Sequence, residues 1–397
     1  MLKFAHRIWT EVDHRLLWIF LKNFCFKGAR AVKTFEKRKK QGKHFPAFMV
    51  ISLTNKCNFT CKGCWVSTQQ ATVEIAPEKL NKIITECKKN GSYFFGLLGG
   101  ETLLYKDLFA VMAQHPDCYF QIFTNGSLLS SDVARQMKEL GNVTPIISIE
   151  GNEVVSDIRR GRENVYERSI KALDHCAEHK LLTGVATSAC QNNFDTLVTQ
   201  EFIDELVKRK VHYLWYYIYR PVGPAPTREL ALTAEQIIKL RQFIVDKRCT
   251  APLALVDAYW DGEGAALCPA ATGFSHHINM FGDIEFCPPM QFSMDNLSGD
   301  GSELTELMEK SQFMQRFRDF VVKDTQGCIL LKDPKKLEQF LRAEGARDSS
   351  GRGTAYAELG KMSPCPCHHQ AGAPIPEKSL MYKIAKKYFF FGFGAYG

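Results

Sequence analysis

The stretch Phe48-Met49-Val50-Ile51-Ser52-Leu53-Thr54-Asn55-Lys56-Cys57-Asn58-Phe59-Thr60-Cys61-Lys62-Gly63-Cys64 decides how this chain is read. Its first part, 49–53, is a short apolar run with the length and composition of a buried strand. Three cysteines follow at once, in the spacing C-x3-C-x2-C. Three thiols this close reach three corners of one cubane iron–sulfur cluster. The fourth iron is then open to a small-molecule ligand. A structural zinc ion wants four ligands, usually as two CxxC-like pairs, and a lone triplet fits that poorly.

Outward from this stretch, strands are expected at 49–53, 93–98, 120–123, 146–149, 183–187 and 212–219. Helical stretches at 77–90, 131–140, 165–179, 201–209 and 233–247 lie between or after them. Six β-α units imply a parallel sheet with helices outside. Six are too few for the eight-stranded closed barrel, so the expected fold is α/β, a partial (β/α)6 barrel. A flat doubly wound sheet fits the same alternation. After about residue 250 the rhythm breaks into a turn-rich stretch at 268–290, a helix near 304–320 and a polar loop at 343–364. The expected organisation is a basic amphipathic helical arm (1–46), the barrel (47–247), a small α+β unit (248–375) and a basic aromatic tail (376–397).

The cysteine loop after a first strand resembles the radical S-adenosylmethionine (SAM) superfamily over about residues 48–245. The resemblance implies a [4Fe-4S] cluster on Cys57, Cys61 and Cys64, with SAM on the open iron. It also implies reductive cleavage of SAM to a 5′-deoxyadenosyl radical that abstracts a substrate hydrogen. A reducing partner such as flavodoxin or ferredoxin would supply the electron. Gly99-Gly100-Glu101 closes the second strand and looks like the family's Gly-Gly-Glu motif, which binds the SAM amino group; the glycines allow close backbone approach and the carboxylate can pair with an ammonium. Asn125 closes the third strand in Thr124-Asn125-Gly126. Ser148 and Glu150, two apart, share one face at the end of the fourth and can hold ribose hydroxyls. Arg160 resembles an arginine that holds the SAM carboxylate. Where the family often has an aromatic residue this chain has Gly63, which leaves Phe59 and Trp65 as candidates for adenine stacking.

A second group of cysteines begins with Cys268 and Cys287, spaced around Gly282. It resembles the opening of the SPASM or twitch auxiliary-cluster domain. Cys328, Cys365 and Cys367 follow, enough for one auxiliary [4Fe-4S] cluster on Cys268, Cys287 and Cys328, completed by Cys365 or Cys367. His276, His277, His368 and His369 keep zinc open for this region. Cys87, Cys118, Cys176 and Cys190 are isolated in apolar segments and read as buried thiols. With no secretion signal, a disulfide framework is not expected among the 14 cysteines.

Net charge is +8, but residues 1–45 alone carry 12 Lys/Arg against 3 Asp/Glu. The basic character therefore belongs to the arm, which suits an anionic surface. Leu2, Ile8, Trp9, Val12, Leu16, Ile19, Phe20 and Phe24 recur at roughly helical spacing there. The tail sets Tyr382, Tyr388, Phe389, Phe390, Phe391, Phe393 and Tyr396 beside Lys383, Lys386 and Lys387. Aromatics beside lysines point to peripheral contact with an anionic membrane, and no nucleic-acid partner is expected. No stretch approaches the roughly 18 apolar residues of a spanning helix, so a cytoplasmic protein, peripheral on the inner membrane face, is expected. The closing Gly392-Phe-Gly394-Ala-Tyr-Gly397 spells a phosphate-loop pattern with no helix to follow it.

These readings converge on a radical SAM enzyme whose substrate is a lipid or polyprenyl compound at the membrane. Peptide or protein modification is the rival enzyme reading. Pro288 stands where sulfatase-maturing relatives carry a carboxylate, which argues against that activity. A zinc-bound interaction protein on membranes would explain the cysteines, but not Gly99-Gly100-Glu101 or Ser148 and Glu150.

Overall fold

A computed structural model describes residues 2–66, 68, 70–257, 259–266, 268–369 and 374–388. Six parallel strands lie side by side in chain order: β1 (Phe48–Ser52), β2 (Phe94–Leu98), β3 (Tyr119–Thr124), β4 (Val143–Ser148), β5 (Gly184–Ala189) and β6 (Tyr213–Ile218). A doubly wound sheet would reverse its order part-way. This one does not, so right-handed crossovers keep the intervening helices on one side of the sheet. Alternate side chains divide the work. Met49, Ile51, Phe95, Leu97, Phe120, Ile122, Ile147, Val185 and Leu214 belong to the main apolar core. Phe48, Val50, Leu98, Gln121, Phe123, Trp215 and Tyr217 line the hollow on the other side. Strands covered on both faces need nearly continuous apolar sequence, as in Phe48-Met49-Val50-Ile51.

Three further strands extend this sheet. β7 (Ala254–Asp257) runs parallel beyond β6. β8 (Ser275–Ile278) returns to pair in parallel with β1, Phe48 facing Ser275, and β9 (Ile284–Glu285) folds back antiparallel on β8. The region after residue 247 thus supplies both edges of the barrel sheet before it builds its own unit. In that unit β10 (Phe292–Ser293) pairs with β11 (Arg347–Asp348). The expected helix near 304–320 is two helices, Leu304–Lys310 and Gln312–Asp324. The stretch 343–364 is not one loop; it holds the end of helix Pro334–Glu344, strand β11 and helix Ala355–Lys361.

A buried polar chain joins the unit to the barrel. Ser52 Oγ lies 2.8 Å from His277 Nε2, and His277 Nδ1 lies 2.6 Å from Glu285 Oε2. Asn279 and Ser349 donate to Glu285 Oε1. His276 is engaged as well, 3.0 Å from His44.

The arm is helical, as expected, but half of it serves packing. Helices Leu2–Glu11 and His14–Ile19, a π-helical segment Phe20–Phe26 and helix Lys27–Lys40 run beneath the barrel. Phe24 meets Phe94 at 4.8 Å and Phe20 meets Tyr119 at 5.4 Å, each against the first residue of a strand. Ala31, Val32 and Phe35 cluster with Phe48, Phe94 and Phe274. Arg7 is buried and donates to the carbonyls of Val207, Val211 and Pro252. Leu2, Trp9, Trp18, Leu21 and Phe26 stay exposed. At the other end, helix Leu380–Tyr388 is strapped over β7 by buried ions. Asp257 takes Arg241 at 2.8 Å, Arg248 at 3.0 Å and Lys386 at 3.0 Å, while Glu377 takes Arg248 at 2.5 Å. The aromatic positions from Phe389 and the terminal glycine pattern lie outside the described residues.

Candidate active site

The carboxyl ends of the strands open into a cavity of about 290 Å³. Cys57, Cys61, Cys64, Gly99, Gly100, Glu101, Asn125, Ser148, Glu150 and Arg160 all line it. Ten residues spread over more than one hundred positions of sequence thus line one cavity: Gly99, Gly100, Glu101, Asn125, Ser148 and Glu150 at or just past strand ends, the cysteines on the loop after β1, and Arg160 at the end of helix Glu153–Arg160.

The cysteine loop is held from two sides. Lys62 N–H donates to Arg159 O at 2.8 Å, and Arg159 Nε donates to Lys62 O at 3.1 Å. Asn125 Nδ2 donates to Asn58 Oδ1 at 2.9 Å, and Asn58 Nδ2 to Ser127 Oγ at 2.8 Å. Asn125 is therefore a clamp between β3 and the loop. Gly63 has φ +74, and a Cβ there would sit 2.3 Å from Tyr219 Oη. Tyr219 fills the room that an aromatic at 63 would need. Nothing near Gly63 in sequence signals this.

The Gly-Gly-Glu turn packs directly on the same loop. A Cβ on Gly100 would lie 2.4 Å from Lys56 O. Glu101 is buried and accepts three hydrogen bonds: from Thr124 Oγ1 at 2.6 Å, Asn125 N at 2.8 Å and Leu103 N at 3.0 Å. Burial nevertheless pushes its carboxyl above the usual range. A buried carboxylate lining a cavity is complemented by a cationic ligand such as an ammonium. Glu150 and Arg160 pair with each other at 2.6 Å, and Arg160 Nη1 lies 3.7 Å from Cys61 Sγ. Burial opposes the Arg160 charge, but Glu150 and the Cys61 thiol keep the guanidinium protonated.

Among the described residues, no three or more His, Cys, Asp and Glu side chains are set to hold a single metal ion. The donor set fits a larger group. Cys57, Cys61 and Cys64 are half-buried around one cavity. Burial pushes the Cys57 thiol up to about 11 and Cys64 up to about 12, and their mutual repulsion adds to this. Thiols that resist ionisation alone become good ligands once a cationic iron centre sits between them.

The later cysteines also gather. Burial pushes the Cys287 thiol up, with Arg220 and the Cys328 and Cys268 thiols beside it. Burial raises Cys367 too, with the Cys328 thiol beside it. Both later thiols donate to a carbonyl, Cys365 to Ser363 O at 3.6 Å and Cys367 to His369 O at 3.7 Å, but Cys367 is buried and Cys365 only half-buried. Cys87, Cys118, Cys176 and Cys190 are buried, as expected of structural thiols. Sequence reasoning missed the cavity's inner wall, Gln121, Phe123, Ser188, Trp215 and Tyr217, and also Arg220. Alternation along β3 and β6 could have marked the aromatic members.

Residues 51–189 match the radical SAM superfamily. Fe-coproporphyrin III synthase of Methanosarcina barkeri is 24% identical over 226 residues, 54% of this chain and 56% of that protein. Sporulation killing factor maturation protein SkfB of Bacillus subtilis is 26% identical over 155 residues, 38% of each. The chain thus spans about half or less of these relatives. Among solved structures, Streptococcus suis SuiB bound to S-adenosylmethionine superposes with a TM-score of 0.62 at 17% identity, over 72% of this chain and 71% of that one. SuiB bound to its precursor peptide SuiA gives 0.61 at 17% identity, over 72% and 70%. The cysteine loop and the strand-end motifs thus lie inside the stretch that matches the radical SAM superfamily, and the sequential parallel sheet superposes on a SAM-binding protein of the same fold.

Proposed function

We propose that this chain is a radical SAM enzyme, with SAM and a [4Fe-4S] cluster as its cofactors, that abstracts a hydrogen from an amino-acid side chain of a peptide substrate. The observation that carries the reading is the size and lining of the cavity. At about 290 Å³ it lies at the lower end for a drug-sized ligand, and SAM takes up much of that. Its inner wall is largely apolar, Phe48, Val50, Phe123, Trp215 and Tyr217 with Gln121 and Ser188 among them, which suits one side chain better than a macrocycle. The peptide-bound SuiB structure supports the same class. A tetrapyrrole is the second reading, favoured by the likeness to Fe-coproporphyrin III synthase. A lipid substrate is not carried further, because the arm that suggested it packs at the opposite mouth of the barrel.

Cys57, Cys61 and Cys64 would hold the cluster, and Glu101 and Gly99-Gly100 would take the SAM ammonium. Ser148 and Glu150 would take its ribose, with Arg160 beside the carboxylate. When bound, the pair supplies a carbon radical by one-electron cleavage of SAM. The aromatic residues of the cavity wall, Phe123, Trp215 and Tyr217, would face the substrate and help keep water out. Cys268, Cys287, Cys328 and Cys367 would hold one auxiliary [4Fe-4S] cluster. A flavodoxin- or ferredoxin-type protein would supply the electron. Leu2, Trp9, Trp18, Leu21 and Phe26 on the arm's outer face would rest on anionic lipid. No helix among the described residues is long and apolar enough to cross a membrane.

The test compares peptides and tetrapyrroles, by untargeted mass spectrometry, from cells making the enzyme or its Cys57/Cys61/Cys64→Ala variant. A peptide mass change that depends on the three cysteines is expected. A change confined to tetrapyrroles would overturn the peptide reading.

A further inference from the structure

Arg220 stands where the two cysteine sites approach each other. It lies just past β6, among the residues that line the cavity. Its guanidinium is 5.5 Å from the centre of the Tyr259 ring and also reaches the Cys328 thiol, with Cys287 close by. Pro288 and Pro289, the two residues after Cys287, line the same cavity wall. Tyr259 is itself fixed, accepting from Ile218 N at 2.9 Å at the end of β6. The guanidinium is thus held against a ring, in the cavity wall and beside the Cys328 thiol.

We infer that Arg220 is a positioning residue that sets the reduction potential of the auxiliary cluster from the wall of the substrate cavity. The inference rests on the four-cysteine reading above. A cluster's potential depends on its net charge and on hydrogen bonds to its sulfurs. A permanent cation bonded to one ligand sulfur stabilises the more negative, reduced form. Arginine suits the place because its planar fork can stack on Tyr259 and donate to sulfur at once, which the point charge of lysine cannot reproduce.

The test is a redox titration followed by electron paramagnetic resonance on reconstituted full-length protein. It compares wild type, Arg220→Gln and Arg220→Lys. The auxiliary midpoint should fall in Arg220→Gln and lie between the two in Arg220→Lys, while the SAM-binding cluster keeps its midpoint. An unshifted auxiliary midpoint in a fully loaded Arg220→Gln protein would overturn the inference. So would loss of the auxiliary irons in both variants, which would make Arg220 a folding element. Wild type saturating at about four irons is a different failure, that of the auxiliary cluster itself.

Discussion

Glu101→Gln separates what Glu101 does for the fold from what it does for SAM. Oε1 accepts from Thr124 Oγ1 and Leu103 N, and Oε2 from Asn125 N. The glutamine nitrogen must take one of these places. In one orientation it faces the Asn125 N–H, in the other the Leu103 N–H. Either way one buried donor is left unsatisfied, at a cost of about 1–3 kcal/mol in stability. The charge-assisted bond to the SAM ammonium is lost as well, about 1.5–3 kcal/mol. That corresponds to a rise in Kd of about tenfold to hundredfold. Thermal unfolding without SAM reads the first effect, and equilibrium binding to anaerobically reconstituted protein reads the second. Cluster content should not change. Because burial raises the Glu101 carboxyl, its contribution to stability is present at low pH and fades as pH rises through its folded value. An arriving ammonium favours the carboxylate, so SAM affinity should weaken as pH falls through that value, and glutamine should remove this dependence. A lower Tm with an unchanged Kd would refute the ammonium contact and leave Glu101 as a prop for the loops after β2 and β3.

Replacing Cys57, Cys61 and Cys64 together by Ala should abolish 5′-deoxyadenosine formation and leave about four of about eight irons per chain; residual cleavage would misplace the site. Cys367→Ser should lower auxiliary iron while Cys365→Ser does not, measured by iron analysis, and the reverse pattern would exchange their roles. Asp257→Asn leaves Arg241, Arg248 and Lys386 with too little countercharge, at a cost of about 3–5 kcal/mol; Tm should fall and the strap at 374–388 become open to protease. Burial opposes the Asp257 charge, but Arg248, Lys386 and Arg241 hold the carboxyl well below its usual range. Its contribution is therefore present above the usual carboxylate range and lost as pH falls through the folded value. Trp9→Ser, Trp18→Ser and Phe26→Ser together should weaken salt-sensitive binding to anionic vesicles without affecting SAM cleavage; unchanged sedimentation with vesicles would remove the membrane contact. Point changes are needed because deleting the arm would uncover Phe94, Phe274 and the base of the barrel.

The strand-end residues were legible because they depend on local order: a strand, then a turn, then a polar side chain of fixed parity. Ser148 and Glu150 fall on one face for that reason alone. Their partners were not legible. That Glu150 would meet Arg160, or Asn125 meet Asn58, depends on how neighbouring loops settle, and no short window records it. The arm shows the same divide. Its helicity and charge are local, whereas Val12 and Leu16 turn inward and Trp9 and Trp18 outward because of strands far along the chain. The short strand Ala254–Asp257 carries too few residues for alternation to mark it.

The pairing of β8 with β1 also bears on solubility. It fills the hydrogen-bonding edge of the strand that leads into the cysteine loop. A protein cut after residue 247 would keep all six β-α units yet expose that edge, a flat apolar row running Phe48-Met49-Val50-Ile51. Unpaired edges of this kind recruit strands from other molecules. Such a fragment should therefore self-associate through β1, next to the thiols it needs for iron, so the barrel cannot be prepared as a free-standing core.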